Sequence, residues 1–124
     1  MRYKMIERAN PQDRSKKKWY ASPVNEGKIT HKSIAADIVD LSSLARGDVY
    51  NVIQSVIDTI PKYLLMGKSV NLGDFGTLRL SFQSEGVENA SKFNVNMIKN
   101  VKVVFTPSVD FKNSLNRISF EKQG

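Results

Sequence analysis

The sequence predicts an α+β fold: a two-helix hairpin packed on a three-stranded antiparallel sheet, with a short C-terminal helix and a basic N-terminal extension. Three observations predict it. Aliphatic residues recur at helical spacing between Ile34 and Leu64. Beyond Gly67 the period falls to two, on both sides of a glycine-bounded reversal at Gly73–Gly76 and again at Val101, Val103 and Phe105. Pro107 then stops the last strand, and Ser108 caps a short segment carrying Phe111 and Leu115 on one face, with Ile118 near its end. A chain of 124 residues has room for one domain and one core. Within it, residues 1–29 are read as an extension packed on or flanking the core, and residues 30–124 as the folded domain.

Taken in order, Tyr3–Arg8 has enough alternation for a strand, and Ala9–Asp13 reads as a turn around Pro11. Lys16, Lys17 and Lys18 lead into Trp19, Tyr20 and Ala21, a second strand stopped by Pro23, so a hairpin is one reading of the extension. Thr30 suits a helix N-cap, followed by Ile34, Ala35, Ile38 and Leu41 along one stripe, and Ser42-Ser43 is expected to end that helix and cap the next. The second helix carries Val49, Val52, Ile53, Val56, Ile57, Ile60 and Leu64, a stripe that demands a substantial apolar partner surface. Pro61 should kink it or remove its last turn, and Gly67 should stop it. Val70 and Leu72 alternate before the reversal, and Thr77–Phe82 alternate after it. Gln83–Ser91 is polar, and weak alternation resumes at Phe93.

Composition narrows the function. Without cysteine, disulfides, thiol catalysis and cysteine-based zinc sites are excluded. One histidine, His31, leaves no partner for a histidine-based metal site or dyad. Asp37, Asp40 and Asp48 are dispersed along polar helix faces, and no nucleophile has a recognisable base, so no enzyme, cofactor or small-molecule substrate is expected. The N-terminal stretch lacks the apolar core of a secretory signal, and no apolar run nears the about 20 residues of a membrane span. A cytoplasmic protein is expected. Net charge is +7, and residues 1–33 carry nine Lys/Arg against three acids. Such a surface favours polyanions, nucleic acid first among them.

The element order, with Gly73, Phe75, Gly76 and Thr77 after the long helix, resembles the HU/IHF family of histone-like proteins. That family's hallmark is a Gly-Phe-Gly-Thr-Phe-type turn. Here Asp74 is interposed, and Leu78 replaces the aromatic. Phe105-Thr106-Pro107-Ser108, with Lys112 and Leu115, is similar to the family's last strand and helix. The extension, with Tyr3-Lys4, Asn10-Pro11, Lys18-x-Tyr20, Pro23-Val24 and Gly27-x-Ile29-Thr30, resembles the longer HU-related proteins of the Bacteroidetes. The resemblance implies an intertwined homodimer, a nucleoid-associated place, and two β-arms that reach around double-stranded DNA, each with a proline that wedges between base pairs.

The arm should span about Phe82–Val101, where the only cations are Lys92 and Lys99, opposed by Glu85 and Glu88. No proline lies between Pro61 and Pro107. Val87, Phe93 and Met97 are open to two readings, as apolar wedges or as packing within the arm. Arg79, Lys99 and Lys102 stand where strands enter and leave the arm, and are expected to grip phosphates there. Lys16, Lys17 and Lys18 beside Trp19 and Tyr20 suit phosphate contact with stacking, although the two aromatics themselves are expected to pack on the core. The expected function is non-sequence-specific binding, with bending, of duplex DNA by a dimer. The alternative is an HU-fold structural or protein-interaction module with little DNA binding.

Overall fold

A computed structural model describes residues 1–124. The chain divides into two compact units, one formed by residues 1–30 with 115–124, the other by residues 31–114.

In the first unit, β1 (Arg2–Ala9) and β2 (Lys17–Pro23) form the antiparallel hairpin read from the extension, in register from Tyr3↔Pro23 to Ala9↔Lys17. The turn between them is closed by Asn10 N–H donating to Lys16 O (2.8 Å) and Lys16 N–H to Asp13 O (3.1 Å). The other edge of β1 is covered by a short parallel strand near the C-terminus, Glu121–Lys122, paired at Arg2↔Glu121 and Tyr3↔Lys122. Two residues give no period, so nothing in the sequence marks this strand. It places residues 115–124 with the extension.

In the second unit, α1 (His31–Asp40) and α2 (Arg46–Leu64) form the helical hairpin. Ala35 is the fully buried residue of α1, whereas Leu41, expected on its apolar stripe, lies past the helix end and is 88% exposed. His31 stacks on Tyr50 of α2, with ring centroids 5.4 Å apart. Ser43 does not cap α2. Ala45 occupies that position without a side-chain hydrogen bond, and Ser42 Oγ accepts from Leu44 N–H instead. Pro61 sits inside α2, and the helix continues to Leu64. Only one N–H is lost, and Leu65 N–H still donates to Pro61 O (2.9 Å). Gly67, at φ 78, ends the turn by donating its N–H to Leu64 O (2.9 Å).

The sheet of this unit has the order β3 (Val70–Asn71), β4 (Gly76–Ser84), β5 (Ile98–Pro107), all antiparallel. The reversal before β4 requires Gly76. Its φ is 151, and a Cβ there would lie 2.5 Å from Thr106 O and 2.6 Å from the Phe105 ring. That close approach lets Phe75, Phe105 and Phe111 cluster, with Phe75 4.9 Å from Phe105 and 5.4 Å from Phe111 between centroids. Ser108 fixes α3 (Val109–Ser114) by accepting from Phe111 N–H (3.0 Å) while its own hydroxyl donates to Asp74 O. The last helix is shorter than expected: Leu115 begins a separate 3-10 turn and belongs to the first unit.

The β4–β5 ladder ends at Ser84↔Ile98. Residues 85–97 form a connection with 3-10 turns at Ala90–Lys92 and Val95–Met97, where a longer ribbon resuming at Phe93 was expected. Asn89 and Asn94 explain this. Their side-chain oxygens accept from Ser91 N–H (3.2 Å) and Asn96 N–H (2.9 Å), offering the backbone a partner other than a strand.

Candidate nucleic-acid interface

The strand register decides which cations share a surface. Residues directly opposite on an antiparallel pair lie on one face. Arg79 is opposite Val104 and Ser81 is opposite Lys102, so Arg79 and Lys102 are diagonal neighbours on one face of β4–β5. The other face carries Leu78, Leu80, Val103 and Phe105. Arg79 also lines a hollow of about 500 Å³ at the open edge of β4, together with Lys68 just after α2. No carboxylate pairs with Arg79, Lys102 or Lys68. Lys68 was missed by sequence reasoning, because its relevance depends on where the end of α2 meets β4. The one signal was its position directly after the helix-stopping Gly67.

Lys99 and Lys92 are placed differently. Lys99 lies opposite Gln83, near the end of the ladder, and its ammonium is ion-paired to Glu85. Lys92 closes the 3-10 turn capped by Asn89. Val87 and Phe93 are exposed on the connection, and Met97 is half-buried.

The three lysines of the extension do not form one patch. Lys17 and Lys18 are successive residues of β2 and point to opposite faces of the hairpin. Lys17 shares its face with Trp19 and Glu7, whose carboxylate is 3.9 Å from the Lys17 ammonium. Lys18 shares the other face with Tyr20, Ile6 and Arg8, and with Lys16 it lines a hollow beside Tyr20. Trp19 is 63% exposed and Tyr20 47%, so neither ring packs on the core as expected: each stands on a face of the hairpin that no other element covers closely enough to bury it.

Much of the apolar stripe on α2 is uncovered. Only Val49 and Leu64 are buried, while Val52 is 60% and Val56 45% exposed. Val52, Val56, Ile60 and Tyr63 line an open groove of about 480 Å³ that runs to Val70 and Leu72 of the β3 region. No helix is long and apolar enough to cross a membrane.

A two-helix hairpin on a three-stranded sheet, with the Gly76 approach to its last strand, defines an HU-type fold. A family model described as an HU domain fused to a winged helix-turn-helix, immunoglobulin-like or glycine-rich motif matches residues 1–122, and the chain belongs to this family. Among solved structures, a candidate bacterial DNA-binding protein from Bacteroides vulgatus ATCC 8482 is similar over 98% of this chain, with a TM-score of 0.62 and 14% identity. The chain spans only 47% of that protein. HU from Anabaena, in a cocrystal with DNA, is similar over 73% of this chain and 100% of its own length, with a TM-score of 0.57 and 14% identity. No curated protein matched in sequence.

Proposed function

We propose that this chain is a histone-like protein that binds duplex DNA without sequence preference as a homodimer. The observation that carries the reading is the diagonal pair Arg79 and Lys102 on one face of an HU-type sheet, free of carboxylates and joined by Lys68 at the edge of β4. Cations on a sheet face suit phosphate contacts, and phosphate contacts carry no sequence information. Lys92 adds charge at the connection, and Lys99 adds less because Glu85 offsets it. Lys16, Lys17 and Lys18 add sequence-independent attraction from the extension. Membership of the HU family and the DNA bound to the Anabaena relative support the partner. The reading implies a cytoplasmic, nucleoid-associated binding protein that is not an enzyme. Bending falls to the connection 85–97, where Val87, Phe93 and Val95 are exposed apolar side chains available to wedge a base step.

The exposed stripe of α2 supports the dimer. A stripe with Val52, Val56 and Ile57 open to water in a free chain is stabilised when a second copy covers it. Sedimentation at micromolar concentration tests this: a dimer is expected, and a 14.0 kDa monomer would contradict it.

A second reading, an HU-fold interaction module indifferent to DNA, is favoured by the Lys99–Glu85 pair and the short connection. Mobility shift at low salt separates the two. Retardation of unrelated duplexes supports DNA binding, and no retardation of linear, nicked or bent duplex supports the module.

A further inference from the structure

The hairpin of the first unit places two cations, Arg8 and Lys18, directly opposite each other on one face. Like charges in this position repel and weaken the strand pair, so the arrangement makes physical sense where an anion sits between them. On the same face, Tyr20 is the next residue along β2 and pairs with Ile6. Arg8, Lys16, Lys18 and Tyr20, with Asn10 and Pro11 of the turn, line a hollow of about 340 Å³. That volume falls in the range of small-ligand clefts, about 300–1,000 Å³. Its lining contains no carboxylate. The nearby acid in the turn, Asp13, accepts from both the hydroxyl (2.6 Å) and the N–H (3.1 Å) of Ser15.

We propose that this face is a single-stranded DNA site, in which Tyr20 stacks on a base while Arg8, Lys16 and Lys18 hold the flanking phosphates. A flat ring in a concave, cationic hollow fits an unpaired base, whose face is open. A duplex hides its base faces in the stack and offers only phosphates and groove edges. The site is distinct from Arg79 and Lys102, which lie in the other unit. Trp19 points to the opposite face of β2 and takes no part.

Fluorescence anisotropy of the full chain with labelled (dT)12, and separately with a 20-base-pair duplex, tests the proposal. Tyr20→Ala should weaken (dT)12 binding at least fivefold, the lower range of one base–aromatic stack, and change duplex affinity less than twofold. Tyr20→Phe should restore it, and Trp19→Ala should leave it unchanged. An Arg8→Ala/Lys18→Ala double variant should lower the slope of log affinity against log salt for (dT)12 by about 1.4, two single-strand contacts. Absence of (dT)12 binding, or equal losses on both probes from Tyr20→Ala, would overturn it. Circular dichroism of each variant separates a lost site from a lost fold. Duplex binding can fail while (dT)12 binding stands, so this inference and the duplex reading are judged separately.

Discussion

The side-chain amide of Asn100 donates to Gln83 Oε1 at 2.7 Å, while Asn100 itself stands at φ 57 in the left-handed region. The ladder changes register here: Ser81 pairs with Lys102 and Gln83 with Lys99, so Asn100 and Val101 together face Phe82. The extra residue is a bulge that bends β5 two pairs before the ladder ends. Asn is among the few side chains that tolerate this conformation. Asn100→Val should cost about 1–2 kcal/mol of folding stability, whereas Asn100→Gly should be close to neutral. Urea unfolding of the two variants checks this.

Gly76 is the less forgiving position. A methyl group there meets a backbone carbonyl, Thr106 O, and the ring of Phe105, which already packs against Phe75 and Phe111. The carbonyl cannot withdraw without separating β4 from β5, nor the ring without opening the cluster with Phe75 and Phe111. Gly76→Ala is expected to cost more than about 2 kcal/mol through backbone strain and displaced packing, measured by thermal unfolding.

Among the interface cations, partnering decides the effect of substitution. Arg79→Ala and Lys102→Ala should each lower the salt slope of duplex binding by about 0.9, one phosphate contact. Lys99→Ala should do less, and Glu85→Gln should tighten binding by releasing Lys99. Equal effects at all three cations would show that the Glu85 pair does not restrain Lys99.

The Asp13 carboxyl is held below the ordinary aspartate value of 3.8 by hydrogen bonds from the Ser15 hydroxyl and then its N–H. A depressed folded-state value stabilises the turn above the unfolded value, and that contribution is lost as pH falls through the folded value. The Ser15 amide resonance should therefore titrate with a midpoint below 3.8, and Asp13→Asn should abolish the titration.

On α2, Val52→Glu with Val56→Glu places two charges in the exposed groove. A covered groove should then lose about 2 kcal/mol of association, roughly thirtyfold in the dimer constant, read by sedimentation. An unchanged mass would place the dimer contact elsewhere.

The main elements were legible because long patterns carry them: the stripe of α2, the reversal at Gly73–Gly76 and the alternation at Val101–Phe105 all appear where their periods indicate. Short or non-local features were not. Glu121–Lys122 is a strand only because β1 offers it an edge, and Ala45 caps α2 with no signature residue. The stretch from Phe93 alternates weakly but yields to the local bonds of Asn94. At the site, residue type indicated charge but not grouping. The run Lys16-Lys17-Lys18 reads as one patch, while strand alternation sends Lys17 to Glu7 and Lys18 to Arg8. Lys68 and Arg79 share a hollow through tertiary structure alone.

Duplex binding through phosphates is tested by a salt titration of affinity on two unrelated linear duplexes of equal length. The same steep, linear fall of log affinity with log salt is expected on both, shallower in the Arg79→Ala/Lys102→Ala variant. Affinity that is absent at low salt, insensitive to salt, or different by more than tenfold between the two sequences would contradict it.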